Sequence, residues 1–115
     1  MTTAHDCLTD WRKDERAFEA AVTEIRGPAE AAGLVLRQPH YAIEGWPHVL
    51  HAEVLPRGSL QVLSCIDVGM GRHGEMLLQT IPGEARTFSR FAPHDKAFYV
   101  KRLSRLVEAA LADDT

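Results

Sequence analysis

The sequence predicts a two-layer α+β sandwich, with an N-terminal helix, an antiparallel sheet of four to five strands and a C-terminal helix. Three segments between residues 49 and 81 alternate apolar and polar side chains and are separated by glycine and proline turns, a pattern typical of antiparallel strands. On both sides of them apolar residues recur at three- and four-residue steps, which is typical of helices. The 115 residues are expected to form a single domain, residues 1–115.

The first helix is expected to begin near Thr9 or Asp10, because either side chain can cap the first backbone amides. Gly27 and Pro28 are expected to break or kink it, because proline lacks an amide donor and clashes with the previous turn. A short further turn then ends at Gly33, a suitable left-handed cap. The predicted buried stripe of this helix consists of Trp11, Phe18, Ala21, Val22 and Ile25.

Four strands follow, and then a fifth that is shorter and more polar. The first strand, residues 34–37, is expected to lie at an edge or to carry a bulge, because Pro39 interrupts it. Tyr41 and Ile43 are candidates to resume it. The remaining strands are predicted over residues 48–55, 60–68, 76–81 and 85–91, with turns at 44–47, 56–59 and 82–83 and a loop at 69–74.

The last helix is predicted over residues 93–112, with Pro93 in the first turn, where proline is tolerated. Apolar residues at helical spacing predict which side of it is buried. That stripe consists of Ala97, Val100, Leu103, Leu106, Val107, Ala110 and Leu111, with Phe98 at its margin.

The charge distribution argues against nucleic-acid binding. The net charge is −3, and the acidic excess lies in residues 1–33, which hold four Lys/Arg and seven Asp/Glu. A chain without basic excess lacks the electrostatic footprint that nucleic-acid binding needs. The acidic first helix is either a contact for a basic partner or simply a solvated face.

The sequence indicates a cytoplasmic protein. Cys7 and Cys65 are the only cysteines and lie far apart, so both thiols are expected to be free. The N-terminus lacks the basic and apolar regions of a signal peptide, and no apolar run approaches the ~20 residues of a membrane span. We therefore expect no membrane association.

The second face of the predicted sheet is more apolar than a solvated face requires. Side chains alternate across a strand, so Leu50, Ala52 and Val54 share the face under the helices. The opposite face is either a homodimer, partner or ligand surface, or the sheet curls and covers it with its own loops. The residues predicted to form this interface are Val49, His51, Glu53, Leu55, Leu63 and Cys65, with Met76 and Leu78 as further apolar candidates.

A glycine-rich string at residues 69–74 matches G-x-G-x-x-G and follows a strand. A dinucleotide site would need a helix next, but the following segment is short and ends at Pro82 and Gly83. We therefore predict a hairpin loop whose glycines adopt positive φ. No nucleotide cofactor is expected.

A polar cluster is the strongest candidate for chemistry. His51 and Glu53 share a strand face, and Cys65 and Asp67 of the next strand can lie across from them. Surface or dimer contacts are a commoner use of such residues than metal ligation, which needs supporting groups. Cys65 lacks the helix N-terminus or cationic neighbour that activates a nucleophile. No catalytic residue, metal or other cofactor is predicted.

Two functions follow as hypotheses. The first is a non-enzymatic cytoplasmic protein-binding module that we expect to form a homodimer. Its element order resembles that of small bacterial secretion chaperones and toxin-immunity proteins. It would act through the second sheet face or the acidic first helix. The second is a small-molecule-binding or enzymatic domain, with a pocket between helices and sheet edged by Tyr41, Trp46 and His51. Loop aromatics also serve as interface anchors or as a local cluster over a sheet edge.

Overall fold

A computed structural model describes residues 4–71, 75–81, 85–88 and 95–113. It confirms the predicted α+β sandwich. Neither helix within these ranges is long and apolar enough to cross a bilayer. The elements are α1 (Ala4–Ala31), β1 (Leu34–Arg37), β2 (His48–Pro56), β3 (Ser64–Met70), β4 (Met76–Ile81), β5 (Ala85–Phe88) and α2 (Lys96–Asp113).

The five strands form one antiparallel sheet in chain order. The two helices pack against each other, α1 also against β1, and α2 also against β3. The core lies between this helical layer and the inner sheet face, so the face opposite the helices is called the outer face below. Buried inner-face residues are Leu34, Leu36, Leu50, Ala52, Val54, Ser64, Ile66, Val68, Met70, Met76 and Leu78.

Helix α1 is longer than predicted at both ends. It begins at Ala4 rather than near Thr9, and it continues through Pro28 to Ala31, so the predicted break at Pro28 is wrong. Pro28 lies in the last turn, where its missing amide removes one helical bond and Ala32 N–H still donates to Pro28 O at 3.2 Å. Ala29 is fully buried and holds that turn against the core. The predicted stripe from Trp11 to Ile25 is confirmed.

Gly33 follows α1 with φ of 82°, as the predicted left-handed cap requires. β1 is an edge strand that ends before Gln38, also as predicted. Tyr41 and Ile43 do not resume it. Instead Ile43 forms an isolated bridge with Trp46 around a turn in which Gly45 has φ of 87°.

Strand β3 begins at Ser64, so the predicted start at Leu60 is wrong. A turn at Gly58 (φ 79°) is followed by a non-strand segment in which Leu60 is 86% exposed. Leu63 precedes the strand and packs against the helix-side core, contrary to its predicted place on the outer face. Strand alternation alone could not show where pairing begins, because a strand that starts at residue 60 and one that starts at residue 64 place the same residues on each face.

Strand β4 has the predicted bounds, but two of its apolar residues, Met76 and Leu78, lie on the face opposite to the one predicted. Met76 and Leu78 are buried on the inner face, paired with Met70 and Val68. The outer-face residues of β4 therefore include Leu77 rather than these two side chains. The predicted turn at 82–83, the end of the fifth strand at 89–91 and the start of the last helix at 93 lie outside the described residues.

Helix α2 buries most of its predicted stripe, and Leu103, Leu106, Val107 and Ala110 are confirmed. Ala97 and Leu111 are exposed instead, so the predicted stripe was too wide. Val100 and Phe98 are partly buried. The residue missing from the prediction is Tyr99, which is fully buried and packs edge-on against Phe18, with ring centroids 5.3 Å apart.

Candidate functional site

The outer face carries a buried polar cluster. The β2–β3 register places His51 opposite Asp67 and Glu53 opposite Cys65. His51, Glu53 and Asp67 are only 6%, 8% and 5% exposed. The structure therefore brings together the polar residues that the sequence placed on this face, with Cys65 partly exposed beside them.

Three residues of the polar cluster, together with Arg37 of β1, form a chain of four charged groups. Asp67 Oδ1 lies 2.6 Å from His51 Nδ1, and Glu53 Oε2 lies 3.1 Å from His51 Nε2. Arg37 Nε donates to the other oxygen of Glu53. Because both ring nitrogens face carboxylates, the protonated imidazolium, with two N–H donors, satisfies both contacts. We call these four residues the outer-face network.

The charges of the network shift the pKa values of His51 and Glu53 in opposite directions. Burial of the His51 ring opposes protonation, but the hydrogen bonds and charges of Asp67 and Glu53 outweigh it, so the pKa of His51 is raised above 6.5. Burial would raise the pKa of Glu53, but hydrogen bonds from His51 and Arg37, with their charges, lower it below 4.5. Both shifts favour the charged pair.

These contacts limit what the cluster can do chemically. Neither nitrogen of His51 is available to take a proton or bind a metal while both contact carboxylates. Burial, together with the charges of Asp67 and Glu53, raises the pKa of the Cys65 thiol and disfavours a nucleophilic thiolate. Among the described residues, no group of three or more His, Cys, Asp or Glu side chains is arranged to hold a metal ion. The network is suited to a positioning role.

The segment that joins β1 to β2, residues 38–47, covers part of the outer face. The Tyr41 ring stacks on the His51 ring, with centroids 4.3 Å apart and planes 18° apart. The Trp46 ring lies over Gly69, where an added Cβ would meet Cε3 at 3.3 Å. Leu55 on this face is only 2% exposed. At these positions the chain's own segment covers the face, which is one of the two alternatives that the sequence left open.

The glycine-rich string serves close packing rather than positive φ. β3 and β4 form the predicted hairpin, with Met70 paired to Met76. Neither Gly69 nor Gly71 has positive φ, contrary to prediction. Gly69 leaves room for Trp46, and a Cβ on Gly71 would collide with the carboxylate of Glu75. The rest of the string, residues 72–74, lies outside the described residues.

A pocket of about 250 Å³ lies between the N-terminal half of α1, segment 38–47 and the first residues of β2. Trp11 and Glu15 stand one turn apart on α1 and so share a helix face. The Trp11 ring is 5.7 Å from the His48 ring, centroid to centroid. The residues that line this pocket, called the aromatic pocket below, are Trp11, Glu15, His40, Tyr41, Ala42, Trp46, Pro47, His48 and Val49.

Two of the three residues predicted to edge a pocket line this one, Tyr41 and Trp46. His51 does not line it but supports Tyr41 from below. Sequence reasoning did not identify Trp11 and Glu15 as pocket residues, because nothing in the pattern of segment 38–47 indicates that it packs beside α1. The four-residue spacing of Trp11 and Glu15 was the available signal that they act together.

Compared with protein-family models, with curated proteins and with solved structures, the chain shows no significant match.

Proposed function

We propose that this protein binds a small molecule in the aromatic pocket. The observation that carries the proposal is the composition of the pocket wall, in which Trp11, Tyr41 and Trp46 meet the carboxylate-bearing Glu15. Ligand sites are typically concave and combine aromatic side chains with a few polar groups that orient the ligand. This is the second of the two functions that the sequence suggested.

The size of the pocket supports a small ligand rather than a peptide. A volume of about 250 Å³ has room for about eight water molecules at ~30 Å³ each. It lies just below the usual range for drug-sized ligands, which begins at about 300 Å³. A ligand of roughly eight to ten non-hydrogen atoms therefore suits it.

Two contacts hold the wall of the pocket in place before any ligand arrives. Tyr41 rests on His51, which the two carboxylates of the outer-face network fix from both sides. Trp46 rests on the backbone at Gly69, and its amide donates to Ile43 O at 3.1 Å within the Gly45 turn. Walls that are already ordered reduce the entropy lost on binding.

A fragment screen by ligand-observed NMR tests the proposal. We expect fragments that bind the wild-type protein to lose binding to the Trp46→Ala variant. The matched control is Leu111→Ala, which truncates a 38% exposed apolar side chain on α2, away from the pocket. Fragments that bind wild type and both variants equally, or a screen without any binder, would contradict the proposal.

A second candidate is a protein-binding module that forms a homodimer, and one observation favours it. Leu60 and Val62 are 86% and 40% exposed on the same short segment before β3. Neighbouring exposed apolar side chains are a common feature of interfaces. Several residues first considered for an interface, among them His51, Glu53 and Leu55, are buried within the chain itself.

Light scattering after size-exclusion chromatography tests this second candidate. We expect a dimer mass for the wild-type protein and a monomer mass for Leu60→Asp, with the circular dichroism spectrum unchanged. The control is Glu44→Lys, which changes the charge of an exposed side chain outside this segment and should remain dimeric. A monomeric wild type would contradict the homodimer.

A further inference from the structure

We infer that the aromatic pocket recognises an organic cation with a methylated ammonium group. This inference rests on the proposed function, since it names the ligand class of the same site. It follows from the aromatic rings and the one carboxylate in the wall, considered together.

The rings provide the first part of the recognition. Trp11, Tyr41 and Trp46 line one small pocket from two different parts of the chain. The face of an aromatic ring carries negative charge and attracts a cation within about 6 Å, with tryptophan the strongest of the three. A quaternary ammonium has no N–H to donate, so it loses little when rings replace its water shell.

The charge of the wall provides the second part. Glu15 is half-buried in the pocket wall, and within the described residues its carboxylate makes no hydrogen bond or ion pair. No lysine or arginine is among the residues that line the pocket. Glu15 is the only residue with a carboxylate among those that line the pocket. The wall therefore carries a negative charge that a cation would offset.

An anionic ligand fits this wall poorly. It would approach Glu15 and the negative ring faces without a lysine, an arginine or a helix N-terminus in the wall to compensate. A neutral apolar ligand would gain from the rings but would leave the Glu15 carboxylate partly desolvated without a partner. The cation satisfies both features of the wall.

Calorimetric titration with a matched pair of probes tests the inference. The pair is choline and 3,3-dimethylbutan-1-ol, which places carbon where choline has its charged nitrogen. We expect choline to bind about tenfold more tightly than the alcohol, which is the size of a ~1.4 kcal/mol cation–π and charge contribution. Glu15→Gln should weaken choline binding about fivefold and leave alcohol binding unchanged.

Glu19→Gln is the matched control, because it removes an exposed carboxylate from the same helix outside the pocket. It should bind choline as the wild type does. Equal or tighter binding of the alcohol would overturn the cation inference and leave the proposed small-molecule function intact. Failure of both probes to bind would also overturn the inference, and the fragment screen would decide the proposed function separately.

Discussion

The imidazole ring of His51 lies stacked against the phenol ring of Tyr41, with their centroids 4.3 Å apart. His51 is buried between two carboxylates, whereas Tyr41 is 47% exposed and lines the aromatic pocket. The outer-face network thus supports one wall of the aromatic pocket. This relationship connects the stability of the outer face to the shape of the candidate binding site.

Removal of His51 should destabilise the protein strongly. We expect His51→Ala to lower the free energy of unfolding by about 3 kcal/mol, because it leaves the Asp67 and Glu53 carboxylates buried without the cation between them. Urea denaturation measures the change. His40→Ala removes an exposed histidine and should change the free energy by less than about 0.5 kcal/mol. Equal effects of the two substitutions would contradict the network.

The contribution of His51 should depend on pH. Because the pKa of His51 is raised above 6.5 in the folded state, its stabilisation is complete below pH 6.5 and is lost as pH rises through the folded pKa. The pKa of Glu53 is lowered, so its contribution is complete above pH 4.5 and is lost as pH falls through the folded pKa. The network should therefore stabilise the folded protein most between pH 4.5 and pH 6.5.

Urea denaturation of wild type and His51→Gln across this range measures that dependence. The difference in unfolding free energy between the two proteins should be largest between pH 4.5 and 6.5 and should shrink as pH rises further. Taking the difference cancels the titration of groups distant from His51. A difference that grows above pH 6.5 would show that His51 is neutral in the folded protein.

Enlarging Gly69 should displace Trp46. The first added carbon would already meet Trp46 Cε3 at 3.3 Å, so the branched side chain of Gly69→Val should push the indole away. We expect a loss of about 1 to 3 kcal/mol, as for other overpacked sites, and a shift in tryptophan fluorescence. Gly27→Ala, where an added Cβ meets nothing within 4 Å, should stabilise α1 by about 0.5 to 1 kcal/mol. Unchanged fluorescence in Gly69→Val would contradict the contact.

Two leucines on α2 should differ sharply in their contribution to stability. Leu103 is fully buried, whereas Leu111 is 38% exposed although both lie in the stripe that the sequence predicts. Leu103→Ala should cost about 2 to 5 kcal/mol of unfolding free energy, and Leu111→Ala less than about 1 kcal/mol. Thermal and urea denaturation would show the difference. Comparable losses would mean that α2 is rotated relative to the described core.

The sequence was a good guide to the fold where one periodicity dominated. The stripe of α1 and the bounds of β4 follow directly from the spacing of apolar residues. It failed where two features competed. Pro28 was expected to end α1, but burial of Ala29 keeps the last turn helical. Tyr99 has the stripe spacing relative to Leu103, but its hydroxyl group obscured its place in the core.

The candidate site was predictable only in part. Strand alternation placed His51, Glu53 and Asp67 on one face, and the structure joins them into a network. Alternation could not show that segment 38–47 folds back over that face. Tyr41 and Trp11 line the same pocket from distant parts of the chain, and no local pattern encodes that arrangement.

The central claim is that the aromatic pocket binds an organic cation, and the indole signals of the protein test it most directly. Trp11 and Trp46 are the only tryptophans in the chain, and both line the pocket. In a titration of ¹⁵N-labelled protein with choline, we predict saturable shifts of both indole N–H signals, with the amide signals of Leu106 and Val107 unchanged. Indole signals that stay fixed throughout the titration, or shifts spread evenly over the protein, would contradict the claim.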